Sequence, residues 1–266
     1  MFREITIGQY YPADSLLHRL DPRVKLFGTL LYMISIFVAD NIFAFLFMTA
    51  CLMIVIRLSK VPFAYMVKGL QGIVMLLVIA GLFNLFLTPG VTLFSVGPLT
   101  ISDVGLKNAG LMAARMIYLI IGTSLMTLTT TPNQLTDGLE TALAPLVKLN
   151  VPVHEIALMM SIALRFIPIL VEETDKIMKA QMARGADFET KGLIRRAKAM
   201  VPLLVPLFVS AFRRASDLAL AMEARCYHGG EGRTKMKPLH YGKRDRIAYL
   251  VIWLFFAVVI VLRVLF

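Results

Sequence analysis

The stretch Ile247-Ala248-Tyr249-Leu250-Val251-Ile252-Trp253-Leu254-Phe255-Phe256-Ala257-Val258-Val259-Ile260-Val261-Leu262-Arg263-Val264-Leu265-Phe266 decides which solvent this chain folds in. Its twenty residues carry one charge, Arg263, and an α-helix needs roughly 20 predominantly apolar residues to cross the hydrocarbon of a bilayer. Working outward, the same reading takes in Gly69 to Leu87 and Ala109 to Leu128. Val24 to Ala39 and Ile42 to Ile56 are shorter and are joined only by Asp40 and Asn41. These runs predict five spans, the first two forming a tight hairpin whose ends borrow flanking residues or snorkelling Lys and Arg. With 58% of residues hydrophobic and a mean hydropathy of +0.74, the composition is that of an integral membrane protein. Residues 2–21 carry Glu4, Asp14, His18 and Asp21 around no apolar centre, so no signal peptide is expected there.

Basic residues set the expected orientation. Arg3, Arg19, Arg23 and Lys25 precede the first span, and Arg57, Lys60 and Lys68 separate the second from the third. Cytoplasmic loops hold the excess of Lys and Arg, so the N-terminus is expected inside and the Asp40-Asn41 turn and the Thr88 to Asn108 connection outside. Residues 91–102 alternate in part around Gly97-Pro98 and predict a small β-hairpin. The fourth span returns inward near Thr130, leaving Thr131 to Arg246 cytoplasmic or interfacial.

That segment concentrates the net charge of +11: Lys176, Lys179, Arg184, Lys191, Arg195, Arg196, Lys198, Arg213, Arg214 and Arg225 interleave with apolar runs. Thr131 caps a short helix with Pro132 at its first position and spaced Leu135, Leu139, Leu143 and Leu146. Ile156 to Val171 and Val201 to Phe212 are almost as apolar as the spans, but are shorter and contain Pro168, Pro202 and Pro206. Interfacial helices are expected there.

Two stretches close these segments, Gln181-Met182-Ala183-Arg184-Gly185 and Met222-Glu223-Ala224-Arg225-Cys226, forty-one residues apart. The same offset aligns Ala180 with Ala221 and the pair Glu172-Glu173 with the pair Arg213-Arg214. Opposite-sign pairs at one offset fit two long helices that cross and bridge each other, holding two Arg tips at fixed separation. Guanidinium forks suit carboxylate partners. Gly185 and Gly229-Gly230 mark helix ends. A cation in a last turn also complements the helix dipole by typically 0.3 to about 1 kcal/mol, and chance similarity of two amphipathic helices is the plainer alternative.

On these residues the chain resembles the transmembrane T component of energy-coupling factor (ECF) transporters, of the shared type serving vitamin uptake. The N-terminal mark is Ile7-Gly8-Gln9-Tyr10-Tyr11-Pro12-Ala13-Asp14-Ser15 with His18-Arg19-Leu20-Asp21-Pro22-Arg23-Val24-Lys25-Leu26; the second is the tripeptide pair Ala183-Arg184-Gly185 and Ala224-Arg225-Cys226. The resemblance implies that each tripeptide ends a long coupling helix and docks its Arg into a groove on one of two ABC-type ATPases. It also implies that the coupling helices support a membrane-embedded, substrate-binding S component, and that ATP hydrolysis topples that component to release substrate inward. Cys226 stands where a Gly would be expected, which puts the second helix exit in question. Asp21, Pro22, Arg23 and Lys25 read as a capped, charged helix start; the resemblance adds an anchor near the cytoplasmic face. Glu172, Glu173, Arg213 and Arg214 are the expected structural bridge.

No P-loop frame occurs, and Gly229-Gly230-Glu231-Gly232 has the wrong spacing. ATP and Mg are therefore expected on partner ATPases and no cofactor on this chain. His18, His154, His228 and His240 are scattered and Cys51 and Cys226 unpaired, so no metal site is expected. Two alternatives compete with coupling: an intramembrane enzyme using Glu172 and Glu173 as its acid/base pair, and a scaffold binding proteins through its basic face. Lipid is an expected partner and nucleic acid is not. The expected fold class is an all-α, polytopic membrane protein with about five transmembrane helices and three cytoplasmic or interfacial coupling helices, two of them long. Residues 1–130 form the four-span membrane domain, 131–230 the coupling domain, and 231–266 a linker and last span.

Overall fold

The computed structural model describes the chain except residues 1–9, 90–91, 97–98, 189–191, 231–235, 237 and 266; of 68–71, 87, 92–96, 99–101, 193, 195 and 196 it describes the backbone alone. Ile7-Gly8-Gln9, the Gly97-Pro98 turn, Lys191 and Glu231-Gly232 therefore lie outside the described residues. Nine α-helices and one hairpin are described: α1 (Pro22–Val38), α2 (Ile42–Ser59), α3 (Phe63–Gln71), α4 (Val74–Leu87), β1 (Thr92–Val96), β2 (Leu99–Ser102), α5 (Asp103–Thr129), α6 (Pro132–Leu143), α7 (Val153–Ala183), α8 (Leu193–Ala224) and α9 (Lys243–Leu265). They fall into two compact units, one of Gly8–Thr141 with Leu239–Phe266, the other centred on Ala142–Pro238.

In the first unit α1 packs on α5 and α9, and α4 on α5. Ile36, Ala39, Ala44, Phe45, Met48 and Val259 form one core, closing the end of the bundle where α1 turns into α2. Arg115 secures that end: its Nη2 donates to the Ala39 carbonyl at 3.0 Å and to Asp40 at 3.3 Å, and Arg263 reaches the same carboxylate. A second core of Leu52, Val61, Met66, Ile121, Leu125 and Leu128 joins α2, α3 and α5 further along. At Gly122 a Cβ would sit 2.2 Å from the Tyr32 ring, so only glycine lets α1 and α5 approach this closely.

The expected third span is divided: α3 ends at Gln71, and α4 covers only 14 residues. At 1.5 Å per residue α4 is about 21 Å long, short of the roughly 30 Å hydrocarbon core. Gly72, a weak helix former, lies in the break. The hairpin β1–β2 pairs antiparallel with Ser95 opposite Thr100 and Val96 opposite Leu99, as alternation predicts. Ser102 links it to the next helix, donating to the Thr88 carbonyl and capping α5 at the Gly105 amide.

In the second unit, α7 runs for 31 residues and α8 for 32, the two long helices expected to end at the tripeptides. Pro168, Pro202 and Pro206 lie inside them, each removing one backbone donor without ending the helix. Among the described residues five helices are long and apolar enough to cross a membrane by length and composition: α2, α5, α9 and also α7 and the Ala197–Ala224 part of α8.

Candidate functional site

The tripeptides end α7 and α8 with the same backbone geometry. Arg184 has φ −90° and ψ 7°, Arg225 φ −94° and ψ 13°. Past Arg184, the Gly185 amide donates to Met182 O at 3.0 Å and the Ala186 amide to Gln181 O at 3.0 Å. Past Arg225, the Cys226 amide donates to Glu223 O at 2.9 Å and the Tyr227 amide to Met222 O at 3.1 Å. Each pair is a Schellman motif, which needs a left-handed residue just beyond the cap. Gly185 supplies it at φ 87°, and Cys226 at φ 55°, a conformation that costs a side-chain-bearing residue roughly 1–2 kcal/mol. The second exit, open in the sequence, thus copies the first. Ala183, Arg184, Gly185, Ala224, Arg225 and Cys226 are all exposed, and neither guanidinium has an ion-pair partner among the described residues.

Glu173 and Arg214 fix how the two helices meet. Arg214 donates to Glu173 Oε2 from Nη2 at 2.7 Å and from Nε at 3.2 Å, while the Ser210 hydroxyl donates to Oε1. These partners are forty-one residues apart, the offset that relates Arg184 to Arg225. Glu172 and Arg213 point away and are exposed, so one of the two expected pairs forms. Ile162, Phe166 and Leu170 face Leu218, Ala219 and Met222 across a groove, and Gly230 abuts the ring of His154 at the start of α7. The helices are therefore antiparallel. Each Arg stands eleven residues beyond the bridge, about 16 Å along its own helix, which puts the tips roughly 30 Å apart at opposite ends of the pair.

The first unit holds the other predicted cluster. Asp21 caps α1 at the Arg23 amide and receives the Arg23 guanidinium at 2.8 and 3.0 Å, and that guanidinium lies 3.8 Å over the Tyr241 ring. Burial pushes the Asp21 carboxyl up, but the Arg23 guanidinium and amide outweigh it and hold the group below its ordinary value. Pro22 occupies the first helical turn, and Lys25 donates to the carbonyls of Thr129 at 2.8 Å and His18 at 3.4 Å. Asp245, only 6% exposed, accepts from the amides of Asp21 at 2.9 Å and Gly242 at 2.8 Å. Together they bind the starts of α1 and α9 to the end of α5. Ser210 and Asp245 were not singled out in the sequence. Ser210 stands one turn before Arg214 on the same face, and Asp245 three residues after Gly242 at a helix start, spacings that carry a weak signal.

Among the described residues, no three His, Cys, Asp or Glu side chains gather as a metal site would require. Comparison with known proteins decides the family. A model described as "Cobalt transport protein" matches residues 13–236. Energy-coupling factor transporter transmembrane protein EcfT of Clostridium kluyveri is 54% identical over 252 residues, covering 94% of this chain and 93% of its own. The protein of the same name from Ruminiclostridium cellulolyticum is 49% identical over all of both chains, and that of Bacillus subtilis 50% over 92% of this chain and 93% of its own. The chain belongs to this family. It is a T component of an ECF transporter, a polytopic membrane subunit and not an enzyme. The acid/base alternative has no support in the T component's geometry either, since Glu173 is held by Ser210 and Arg214.

Proposed function

We propose that this T component couples two cytoplasmic ABC-type ATPases to a membrane-embedded S component that binds vitamins or similar micronutrients. The observation that carries the reading is the pair of matching helix exits, each presenting an exposed Arg with no ion-pair partner among the described residues, at equal distance from one internal bridge. Two like sockets need two like plugs, and a guanidinium fork can satisfy a carboxylate bidentately where an ammonium cannot. ATP and Mg are bound by the ATPases, and this chain contributes levers without chemistry of its own. The N-terminus and residues 131–246 lie on the cytoplasmic side, in keeping with the basic loops. α7 and α8 lie at the interface, and their length leaves each able to tilt into the bilayer. Val201, Leu204, Val205, Phe208, Val209 and Phe212 form one exposed apolar stripe on α8, which suits a membrane partner such as the S component.

The test compares wild type with Arg184→Glu, Arg225→Glu and the double change, after equal membrane insertion is established. Loss of co-purifying ATPases, or ATP hydrolysis uncoupled from uptake, supports the proposal. Complexes and uptake that persist unchanged reduce both Arg to helix caps and overturn it. Activity kept by Arg→Lys at both positions would favour a generic basic scaffold.

A further inference from the structure

The first unit is packed unevenly. At the end where α1 turns into α2, buried residues of α1, α2 and α9 interlock with α5. Towards the other end the second core joins α2, α3 and α5 but includes nothing from α9. There the helices part around a groove of about 600 Å³, a volume typical of small-molecule sites. Its wall takes in Val24, Gly28 and Tyr32 of α1, Leu52 and Val55 of α2, and Ala248 of α9, and is almost wholly apolar. The hydroxyls around it are spent on the backbone: Tyr32 donates to Tyr118 O, Thr29 to Lys25 O and Thr129 to Leu125 O.

Two cations interrupt this lining, Lys25 and Arg244, both near the helix starts. The Lys25 ammonium has three protons to donate, and among the described residues two carbonyls accept from it, which leaves one donor to spare there. Arg244 is exposed and has no ion-pair partner among the described residues, and Lys243 and Arg246 flank it. From Arg244 to Phe255 the lined face of α9 rises about 16 Å, roughly half of a 30 Å hydrocarbon core, which is the depth of one leaflet. An apolar slot one leaflet deep, closed at its inner end and cationic at its mouth, matches a single kind of occupant.

We propose that this groove holds an acyl chain of an anionic phospholipid from the leaflet at the starts of α1 and α9, its phosphate held by Arg244 and the free donor of Lys25. The lipid fills the space that the helices leave open and bridges α9 to α2 where no protein core does so, beside the direct contacts of Gly28 with Ile252 and Phe27 with Trp253 that already join α1 to α9. An uncharged lipid forgoes the cationic mouth, and a zwitterionic one brings a phosphate whose charge its own ammonium offsets, so both fit less well than an anionic lipid.

The full chain, purified and stripped of loosely held lipid by detergent exchange, is titrated with phosphatidylglycerol or phosphatidylcholine and read by native mass spectrometry. One phosphatidylglycerol is expected to stay bound, with affinity at least roughly fivefold above phosphatidylcholine, since each cation near a lipid surface contributes about 1 kcal/mol. Arg244→Gln, at an exposed position, removes most of that preference, and Ala248→Phe, which fills the slot, removes binding of both lipids. Equal retention of the two lipids, or a preference that Arg244→Gln leaves intact, overturns the proposal; because Arg244→Gln leaves the core untouched, a folding failure of Ala248→Phe does not rescue it.

Discussion

Replacing Glu173 by Ala removes the bridge between α7 and α8 and tests the lever directly. The carboxylate receives two bonds from Arg214 and one from Ser210. Hydrogen bonds to charged groups contribute about 1.5–3 kcal/mol, exposed ion pairs only about 0.2–1. The Arg214 side chain is 40% exposed and that of Glu173 22%, so solvent screening places the whole bridge near the lower figure, about 1.5 kcal/mol. That corresponds to a little over tenfold in the population of opened crossings. Each tip lies about 16 Å from the bridge, so a loosening of 10° moves each Arg by roughly 3 Å. Spin labels at the exposed positions Lys179 and Leu220, in a chain whose Cys51 and Cys226 are replaced, report this as a broadened distance distribution. A double-mutant cycle with Arg214→Ala is expected to give a coupling of about 1 kcal/mol. Unchanged widths together with a coupling indistinguishable from zero would refute the reasoning, and α7 and α8 would then be held by apolar packing alone.

Three other outcomes are expected. Asp245→Ala strands the buried amide of Asp21 and the part-buried amide of Gly242 and costs about 1–3 kcal/mol, seen as a lowered unfolding temperature, whereas Asp245→Asn, which keeps one of the two acceptor oxygens, loses less. Gly185→Ala places a side chain at φ 87° and speeds hydrogen exchange of the Gly185 and Ala186 amides by about five- to thirtyfold, while Cys226→Gly slows exchange at the second exit; equal exchange in both variants would contradict the shared motif. His18 is pushed below its ordinary value, first by burial, with Nε2 donating to Tyr11 O at 3.0 Å and Nδ1 accepting from the Ser15 hydroxyl at 2.6 Å. The unfolded state binds that proton more readily, so stability is full above the unfolded value near 6.5 and is lost as pH falls towards the lower folded one. His18→Gln should flatten the acid limb of a stability profile, and an unchanged limb would assign it to other groups.

Much of this was legible in the chain itself, for identifiable reasons. Long apolar runs and the Asp21-Pro22 start depend on local rules, and α1, α2, α5 and α9 appear close to their expected places. The division of the third span was not visible, because one glycine in an apolar run is weak evidence for a break. The prolines of α7 and α8 shorten the apolar runs on which a local reading depends, but the paired tripeptide ends still marked two long helices, and both continue through their prolines. At the candidate site, the repeat offset identified Glu173 and Arg214, but not which member of each doublet faces inward. That choice depends on the rotation of each helix about its axis, which packing sets. Cys226 shows the same limit, since nothing in its identity announces a left-handed backbone; the surrounding hydrogen bonds impose it.

The equal arms beyond the Glu173–Arg214 bridge make α7 and α8 a geared pair with fixed phase. An α-helix turns about 100° per residue, so inserting or deleting one residue between bridge and tip would swing that Arg a quarter-turn or more around its axis while advancing it only 1.5 Å. No side-chain substitution restores such a phase error. The stretch from 173 to 184 and its counterpart from 214 to 225 are therefore held in length as well as at the positions that pack or dock, while their solvent-facing positions can vary. An engineered lengthening by seven residues, nearly two whole turns, should be tolerated far better in its facing than one of a single residue.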